Sequence, residues 1–423
     1  MKQLNTNRTA ETASANIRRV LYTLRWIVFA VLCGAVLGPA GALFHECIDL
    51  VTNLRLAHPA ILLLLPAGAA AILLLYKKMG RGAEGGTNLI LSSVHEGEAV
   101  PLRMAPLIFL STTLSHLAGA SVGREGAALQ LGGSIGHFIG ELFHFSDRDR
   151  KTLVMTGMSA AFSAMFGTPL AAAVFPMEVV SVGIMHYSAF LPCTIASFVA
   201  RGIALKMGSK PPFYELGPIP SMDIRSGTVI LILAALSGLL SLFFCAALQK
   251  SEHLAEHAVK NGYLRAVLLG TLLLGMTCLS GGQTYNGAGA GYITTCVAGD
   301  SHPFSFLLKI AFTVVSICAG YKGGEIVPSF FIGAAFGSLF GTITGFSPAL
   351  CSAVGMGAVF CGVTNSPLSA FIISCEMFGF EGAPFYLIAC AMSFVVSGYY
   401  GLYTSQRIVY SKYRLNHIDK KTL

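Results

Sequence analysis

The sequence predicts an all-α membrane protein made of two related halves, with helices broken inside the membrane. Three observations carry that expectation. Of 423 residues, 54% are hydrophobic and only 11% are charged, against roughly 25% charged in an ordinary soluble domain. Mean hydropathy is +0.68. Such a chain cannot cover a water-facing surface, which excludes a soluble enzyme, a disordered regulator and a fibrous protein. Long stretches carry no Asp, Glu, Lys or Arg, and one segment recurs later in the chain with its Pro and Glu landmarks in the same order.

The N-terminal residues 1–26 are polar and amphipathic, and Trp26 opens an apolar run without a small-residue cleavage site, so no cleavable signal is expected. Charge-free stretches then follow at 27–44, 105–123, 227–249, 266–299, 310–321, 326–375 and 382–406, and 152–200 holds only Glu178. A span needs roughly 20 apolar residues, so these stretches predict about ten or eleven spans. Several are interrupted by Gly or Pro, which is tolerated where backbone lines a cavity inside the protein. The expected organisation is a cytoplasmic segment 1–26, a membrane domain 27–406 with halves at about 27–205 and 225–406, and a basic cytoplasmic tail 407–423.

The net charge is +8, but the basic residues flank spans rather than forming a soluble face. Arg18, Arg19 and Arg25 precede the first apolar stretch, and Arg407, Lys412, Arg414, Lys420 and Lys421 follow the last. That is the positive-inside pattern and predicts that both termini are cytoplasmic. No nucleic-acid-binding module is present, so no nucleic-acid partner is expected. The 11 cysteines include no CxxC pair and lie mostly in apolar runs. They read as small buried hydrophobes, without a disulfide framework or zinc site.

The repeat pairs TGMSAAFSAMFGTPLAAAVFPME, from Thr156 to Glu178, with VGMGAVFCGVTNSPLSAFIISCE, from Val354 to Glu376. Upstream lie two Gly-x-Glu turns, Gly123-Arg124-Glu125 and Gly323-Gly324-Glu325, each followed by a glycine-rich helix with Gly133 and Gly333 at equal distances from their Glu. Two similar halves with interrupted helices are the signature of a transporter. Helix N-termini carry unpaired N–H groups and partial positive charge, and two aimed at one spot make an anion site.

Gly123, Arg124, Glu125 and Gly126 open a helix expected from Ala127 to about Phe143. The glycines allow backbone N–H groups to approach a ligand closely. Glu125 at that helix start can occupy an anion site when charged and leave it when protonated, or it can form a structural ion pair with Arg124. In the second half, Glu325 either handles protons or only holds its turn, Pro328 suits a first helical turn, and the amides of Ile326 and Val327 are expected to face the same site. Gly86, Thr87 and Asn88 lie in a glycine-rich turn before a helix, where Thr87 and Asn88 either donate to an anion or act as N-caps. Tyr285–Gly291 is a similar break in the second half. Tyr403, in Gly401-Leu402-Tyr403 past the last span, either donates to an anion or belongs to an interfacial aromatic belt. His116, Glu178, His186 and Glu376 are expected to cap helices or pair with backbone. No nucleotide loop, HExxH or GxSxG motif, or metal cluster occurs.

These segments resemble the CLC family of anion channels and anion/proton antiporters, over about Trp26 to Tyr410. GREGA at 123–127 resembles the family's GREGP, GGEIVP at 323–328 its GGIFAP, TPL at 168–170 and SPL at 366–368 its NxPL segments, and GLY at 401–403 its C-terminal tyrosine site. The resemblance implies the CLC-type fold of two inverted-topology repeats, a homodimer with one pore per subunit in the lipid bilayer, and no required cofactor. No regulatory domain is expected after Leu423.

The departures resemble the bacterial fluoride-exporting branch. The GSGIP serine of chloride members has no counterpart near Gly86-Thr87, Ala127 replaces the Pro of GREGP, Glu325 precedes Ile326 in the second loop, and Val179 stands where chloride/proton antiporters carry an inner Glu. Asn88-Leu89-Ile90 and His95-Glu96 also resemble that branch. Glu125 then resembles the gating glutamate, Tyr403 the anion-coordinating tyrosine, Glu325 the branch's extra acid, and Ile326–Val327 the anion-binding helix start. The implied function is fluoride/proton antiport out of the cytoplasm across a bacterial inner membrane. The alternatives are a chloride/proton antiporter or passive chloride channel of the family and, from another class, a membrane-embedded enzyme using Glu125 and His116.

Overall fold

The computed structural model describes residues 16–210 and 212–423 in full and the backbone path of 2–15, so the side chains of the first fifteen residues of the expected N-terminal segment lie outside the described residues. Sixteen α-helices follow in two sets of eight. The first set is α1 (Lys2–Ala57), α2 (Leu65–Met79), α3 (Gly86–His95), α4 (Met104–Ala118), α5 (Glu125–Leu142), α6 (Asp147–Phe166), α7 (Pro169–Val180) and α8 (Phe190–Lys206). The second is α9 (Ile224–Ala258), α10 (Gly262–Leu279), α11 (Tyr292–Ala298), α12 (Ser305–Cys318), α13 (Ile326–Thr344), α14 (Pro348–Thr364), α15 (Pro367–Phe378) and α16 (Ala383–Val396).

Among the described residues, six helical segments are long and apolar enough to cross a membrane by themselves, and six further apolar helices or helical segments run only 10–17 residues. The short ones arise where the sequence stops a helix and restarts it. Gly167, at φ +81, closes α6, and Thr168-Pro169 restarts the chain as α7. Asn365, at φ +56, closes α14, and Ser366-Pro367 restarts it as α15. A left-handed residue ends a helix cheaply when it is Gly or Asn, and Pro is preorganised for a first helical turn. At the exposed start of α9, the Asp223 carboxylate accepts from Ser226 N–H at 2.7 Å and Ser226 Oγ accepts from Asp223 N–H. Those bonds hold its pKa below the usual carboxylate value.

Glycines fix how the paired helices pack. A Cβ on Gly132 of α5 would sit 2.2 Å from the carbonyl oxygen of Gly157 on α6, and one on Gly333 of α13 2.3 Å from that of Gly355 on α14. One turn on, a Cβ on Gly136 would run into the Leu153 carbonyl and one on Gly337 into the Cys351 carbonyl. Without a hydrophobic drive between helices in lipid, such small-residue faces allow the close backbone contact that holds them together. This corrects the pairing of Gly133 with Gly333: Gly133 faces Ile90 of α3, and the counterpart of Gly333 is Gly132. At the centre, phenylalanines join the halves, with ring centroids 5.5 Å apart for Phe166–Phe330 and 5.6 Å for Phe175–Phe360.

The basic C-terminal segment 407–423 is mostly exposed and is ordered as strands. It forms β2 (Arg407–Tyr410) and β3 (His417–Lys421), and β2 pairs in parallel with β1 (Ser181–Val182) at the end of α7. Lys412 donates to Phe394 O at 2.9 Å and Ser397 Oγ at 3.1 Å, and burial lowers its pKa to about 8. The carbonyls left open at the end of α16 give the segment's lysine a place to bond, and β1 gives its backbone one.

Candidate functional site

The site is built from two helix starts set back to back. Gly123 N–H donates to Gly324 O at 2.5 Å, and Gly324 N–H donates to Gly123 O at 2.8 Å, forming an antiparallel bridge between the halves. A Cβ on Gly324 would lie 2.5 Å from the Gly126 nitrogen, so only glycine lets the loops meet. Arg124 and Glu325 are the N-caps of α5 and α13, and Glu125 and Ile326 are the first helical residues. Glu325 therefore corresponds in the fold to Arg124, a shift of one from the Gly-x-Glu pairing. The same shift accounts for Gly132. The first amides of each helix have no i−4 carbonyl to bond, so both starts present N–H groups.

The expected single anion site is divided between two cavities. One, of about 480 Å³, is lined by Glu125, Arg124, Val327, Asp49, Arg55, His116 and the glycine loop 287–291. Here Glu125 is 1% exposed. Its Oε2 accepts from the Arg124 amide at 3.0 Å, and its Oε1 has no hydrogen-bond partner and lies 3.6 Å from Arg124 Nε. Arg124 also donates through Nη1 to Asp49 at 3.0 Å. The carboxylate thus occupies an amide at the start of α5, and the Arg124–Glu125 ion pair coexists with that placement.

The second cavity, of about 380 Å³, is lined by Gly86, Thr87, Asn88, Glu325 and Tyr403, together with Gln130, Lys322 and Glu252. Tyr403 is only 3% exposed and its hydroxyl has no partner. That removes it from an interfacial belt and leaves a buried phenol O–H free to donate. Glu325 makes no side-chain cap hydrogen bond to its turn. Between the cavities lie the glycine bridge, Gly126 packed on Gly324, and the buried Ile326.

Two expected donors are corrected, and a third keeps its hydrogens. The Gly123 amide is occupied by Gly324 O. The Thr87 hydroxyl neither caps α3, whose N-cap is Gly85, nor points free: it donates to Gly126 O at 3.4 Å and accepts from Gln130 Nε2 at 3.0 Å. Asn88 is not a cap either; its Oδ1 accepts from Ser405 N–H at 3.0 Å, which leaves its amide hydrogens for the cavity. A hydroxyl has one hydrogen, and at these positions the backbone of the facing loop takes it or its equivalent. Sequence reading missed Gln130, Arg55 and Asp49. Gln130 had a signal, as the sole side-chain amide in the apolar face that follows Glu125.

Glu178 and Glu376 are structural. Glu178 of α7 accepts from Leu368 N–H at 2.9 Å, Ser369 N–H at 2.8 Å and Ser369 Oγ at 2.6 Å, capping α15. Glu376 of α15 accepts from Leu170 and Ala171 N–H, both at 2.9 Å, capping α7. Each half caps the other, as a two-fold relation between them requires. His116 pairs with Thr112 O at 2.9 Å, and His186 lies 3.4 Å from Ser181 Oγ. Glu178→Ala leaves the α15 amides without their acceptor and is expected to cost about 1–3 kcal/mol. Thermal unfolding of the detergent-purified protein measures it, and an unshifted midpoint overturns the capping role.

Two reciprocal sets of helices, their starts meeting between two cavities inside a largely apolar bundle, define a multi-pass membrane ion transporter or channel. The family profile described as voltage gated chloride channel matches residues 67–398, and the chain belongs to that family, the CLC family. It is 35% identical to a "Chloride/fluoride channel protein" of Pseudomonas syringae pv. tomato over 399 residues, covering 93% of this chain and 88% of that protein. It is 26% identical to the "H(+)/Cl(-) exchange transporter ClcA" of Citrobacter koseri over 398 residues, 85% and 83% of the two chains. The crystal structure of a CLC-type fluoride/proton antiporter matches with TM-score 0.88 and 28% identity, covering 91% of this chain and 98% of that one. Members of an ion-channel family move ions rather than catalyse reactions, so the enzyme alternative falls away.

Proposed function

We propose that this chain is a fluoride/proton antiporter that exports fluoride from the cytoplasm, driven by protons moving inward. The observation that carries the reading is the pair of acids at the two helix starts. Glu125 opens on one cavity, and Glu325, beside the unpartnered Tyr403 hydroxyl, opens on the other. Support for fluoride comes from the relatives, one described as a chloride/fluoride channel protein and one as a CLC-type fluoride/proton antiporter. The charge pattern at the termini supports a bacterial inner membrane with both termini and the Tyr403 cavity facing the cytoplasm, and family resemblance supports a homodimer.

In this reading fluoride enters the Tyr403 cavity, where the phenol O–H and Asn88 replace water around it, and then moves on to the amides at the starts of α5 and α13. A small, strongly hydrated anion needs such direct donors. Ionised Glu125 competes for the same amides. Once it takes a proton from the outer cavity it releases them, the anion passes outward, and the proton leaves inward by way of Glu325. Protons are not expected to use the inner glutamate of chloride/proton antiporters, whose position is Val179: it is apolar and buried, its carbonyl accepts from Gln406 at 2.8 Å, and the neighbouring Glu178 carboxylate is held on α15.

Proteoliposomes loaded in parallel with fluoride or chloride test this. Fluoride efflux with linked proton uptake and little chloride efflux is expected. Chloride efflux equal to or greater than that of fluoride places the protein with the chloride members, and fluoride efflux without proton movement makes it a channel.

A further inference from the structure

Arg55, near the end of α1, lies in the wall of the Glu125 cavity, outside the two helix starts. It is 2% exposed, and its Nε and Nη1 have no hydrogen-bond partner. Its guanidinium sits between two glycines with positive φ. A Cβ on Gly119, at φ +98, would come 3.1 Å from Nη1, and one on Gly287, at φ +62, 3.2 Å from Nη2. The two strands of this cradle are tied together by Asn286 Nδ2 donating to Gly119 O at 2.7 Å and by Gly287 N–H donating to Ala120 O at 3.0 Å. Beneath, Lys309 is fully buried and donates to Tyr285 O at 3.0 Å and Gly287 O at 2.7 Å.

Among the described residues no acid forms an ion pair with Arg55. The two acids in the same cavity are both held elsewhere, Asp49 by Arg124 and His45, and Glu125 by Arg124. A buried charge without a counter-charge is strongly destabilising, and a guanidinium cannot shed its proton. Its natural complement is an anion small enough to lie against the guanidinium from the cavity.

We propose that the Glu125 cavity holds a halide ion on Arg55, at a site separate from the one at the starts of α5 and α13. This rests on the reading of the chain as an anion transporter. It gives the Tyr285–Gly291 break a role, since that loop closes the cradle and keeps side chains out of it. An anion released past Glu125 would pause on Arg55 before reaching bulk water.

The test is equilibrium binding to the full chain in detergent, exchanged into gluconate, with fluoride and chloride as separate probes. Wild type is expected to bind one more anion per subunit than Arg55→Met for at least one probe. Equal numbers bound overturn the proposal. In gluconate alone, Arg55→Met is also expected to melt at a higher temperature than wild type, because an uncompensated charge has been removed; a lower midpoint counts against the site. If Arg55→Met does not fold, Arg55→Gln replaces it, with the same outcomes. Flux distinguishes the two readings. A lost anion in a chain that moves no halide across liposomes keeps the Arg55 site and removes the transport reading, whereas normal wild-type flux with no lost anion removes the Arg55 site alone.

Discussion

Glu125→Gln is expected to abolish proton movement while leaving anion efflux measurable. Glutamine keeps the size and one carbonyl oxygen of the side chain, so it can still accept from the Arg124 amide, but it cannot take up or release a proton. The carboxylate it replaces is almost wholly buried, with one oxygen on that amide and the other unpartnered. Positioned proton-transfer groups typically contribute about 10²–10⁴-fold, and proton flux should fall by at least the lower end of that range. The measurement is proton uptake and fluoride efflux from the same proteoliposomes. Coupled transport at the wild-type ratio would take Glu125 out of the mechanism and leave it a structural partner of Arg124.

Tyr403→Phe is expected to weaken fluoride binding without unfolding the protein. The ring packs in a buried position, and the hydroxyl makes no hydrogen bond that the fold depends on. Only the donor toward the cavity is lost. A hydrogen bond to a charged group contributes about 1.5–3 kcal/mol, which corresponds to a loss of roughly 10- to 100-fold in affinity. Titration of purified protein with fluoride reads this directly, alongside the melting temperature. An unchanged affinity would mean that the phenol does not face the anion. The backbone around Tyr403 is held independently of its hydroxyl: Thr422 Oγ1 and Gln406 N–H both donate to the Tyr403 carbonyl, at 2.5 and 3.0 Å. The basic C-terminal segment, through Thr422, thus helps fix the loop that carries the phenol.

Much of the architecture was legible before any coordinates. Charge-free stretches reported burial in lipid because ionised groups are costly there. The TPL and SPL segments reported helix breaks because Pro and the residues before it constrain backbone locally. Glu178 and Glu376 were expected to cap, and they do, since a buried carboxylate near helix starts has few other partners. Glu125 was picked out as a glycine-flanked acid at a helix start, and Tyr403 by its resemblance to the family's C-terminal tyrosine site.

What the sequence could not supply was register, pairing across the halves, and which donors remain free. Counting from Glu125 and Glu325 matched Gly133 with Gly333, whereas helix packing aligns Gly132 with Gly333 and places Glu325 opposite Arg124. The count runs along one chain, but the alignment is set by which glycine leaves room for the facing backbone carbonyl. Gly123 and Thr87 looked like donors, and the tertiary contacts give their hydrogens to Gly324 and Gly126. Arg55 lies about seventy residues before Glu125 and carries no motif, yet the fold brings it to the same cavity.

The sequence by itself determined the class of protein, the two halves, the break points and the acids at the helix starts, because composition and local backbone preference act over a few residues. The tertiary structure decided that these groups stand on two cavities separated by the Gly123–Gly324 bridge, that Tyr403 is buried with a free hydroxyl, and that Arg55 has no acidic partner. Those facts depend on contacts between residues far apart in the chain, where packing and hydrogen-bond satisfaction, rather than local propensity, select the outcome.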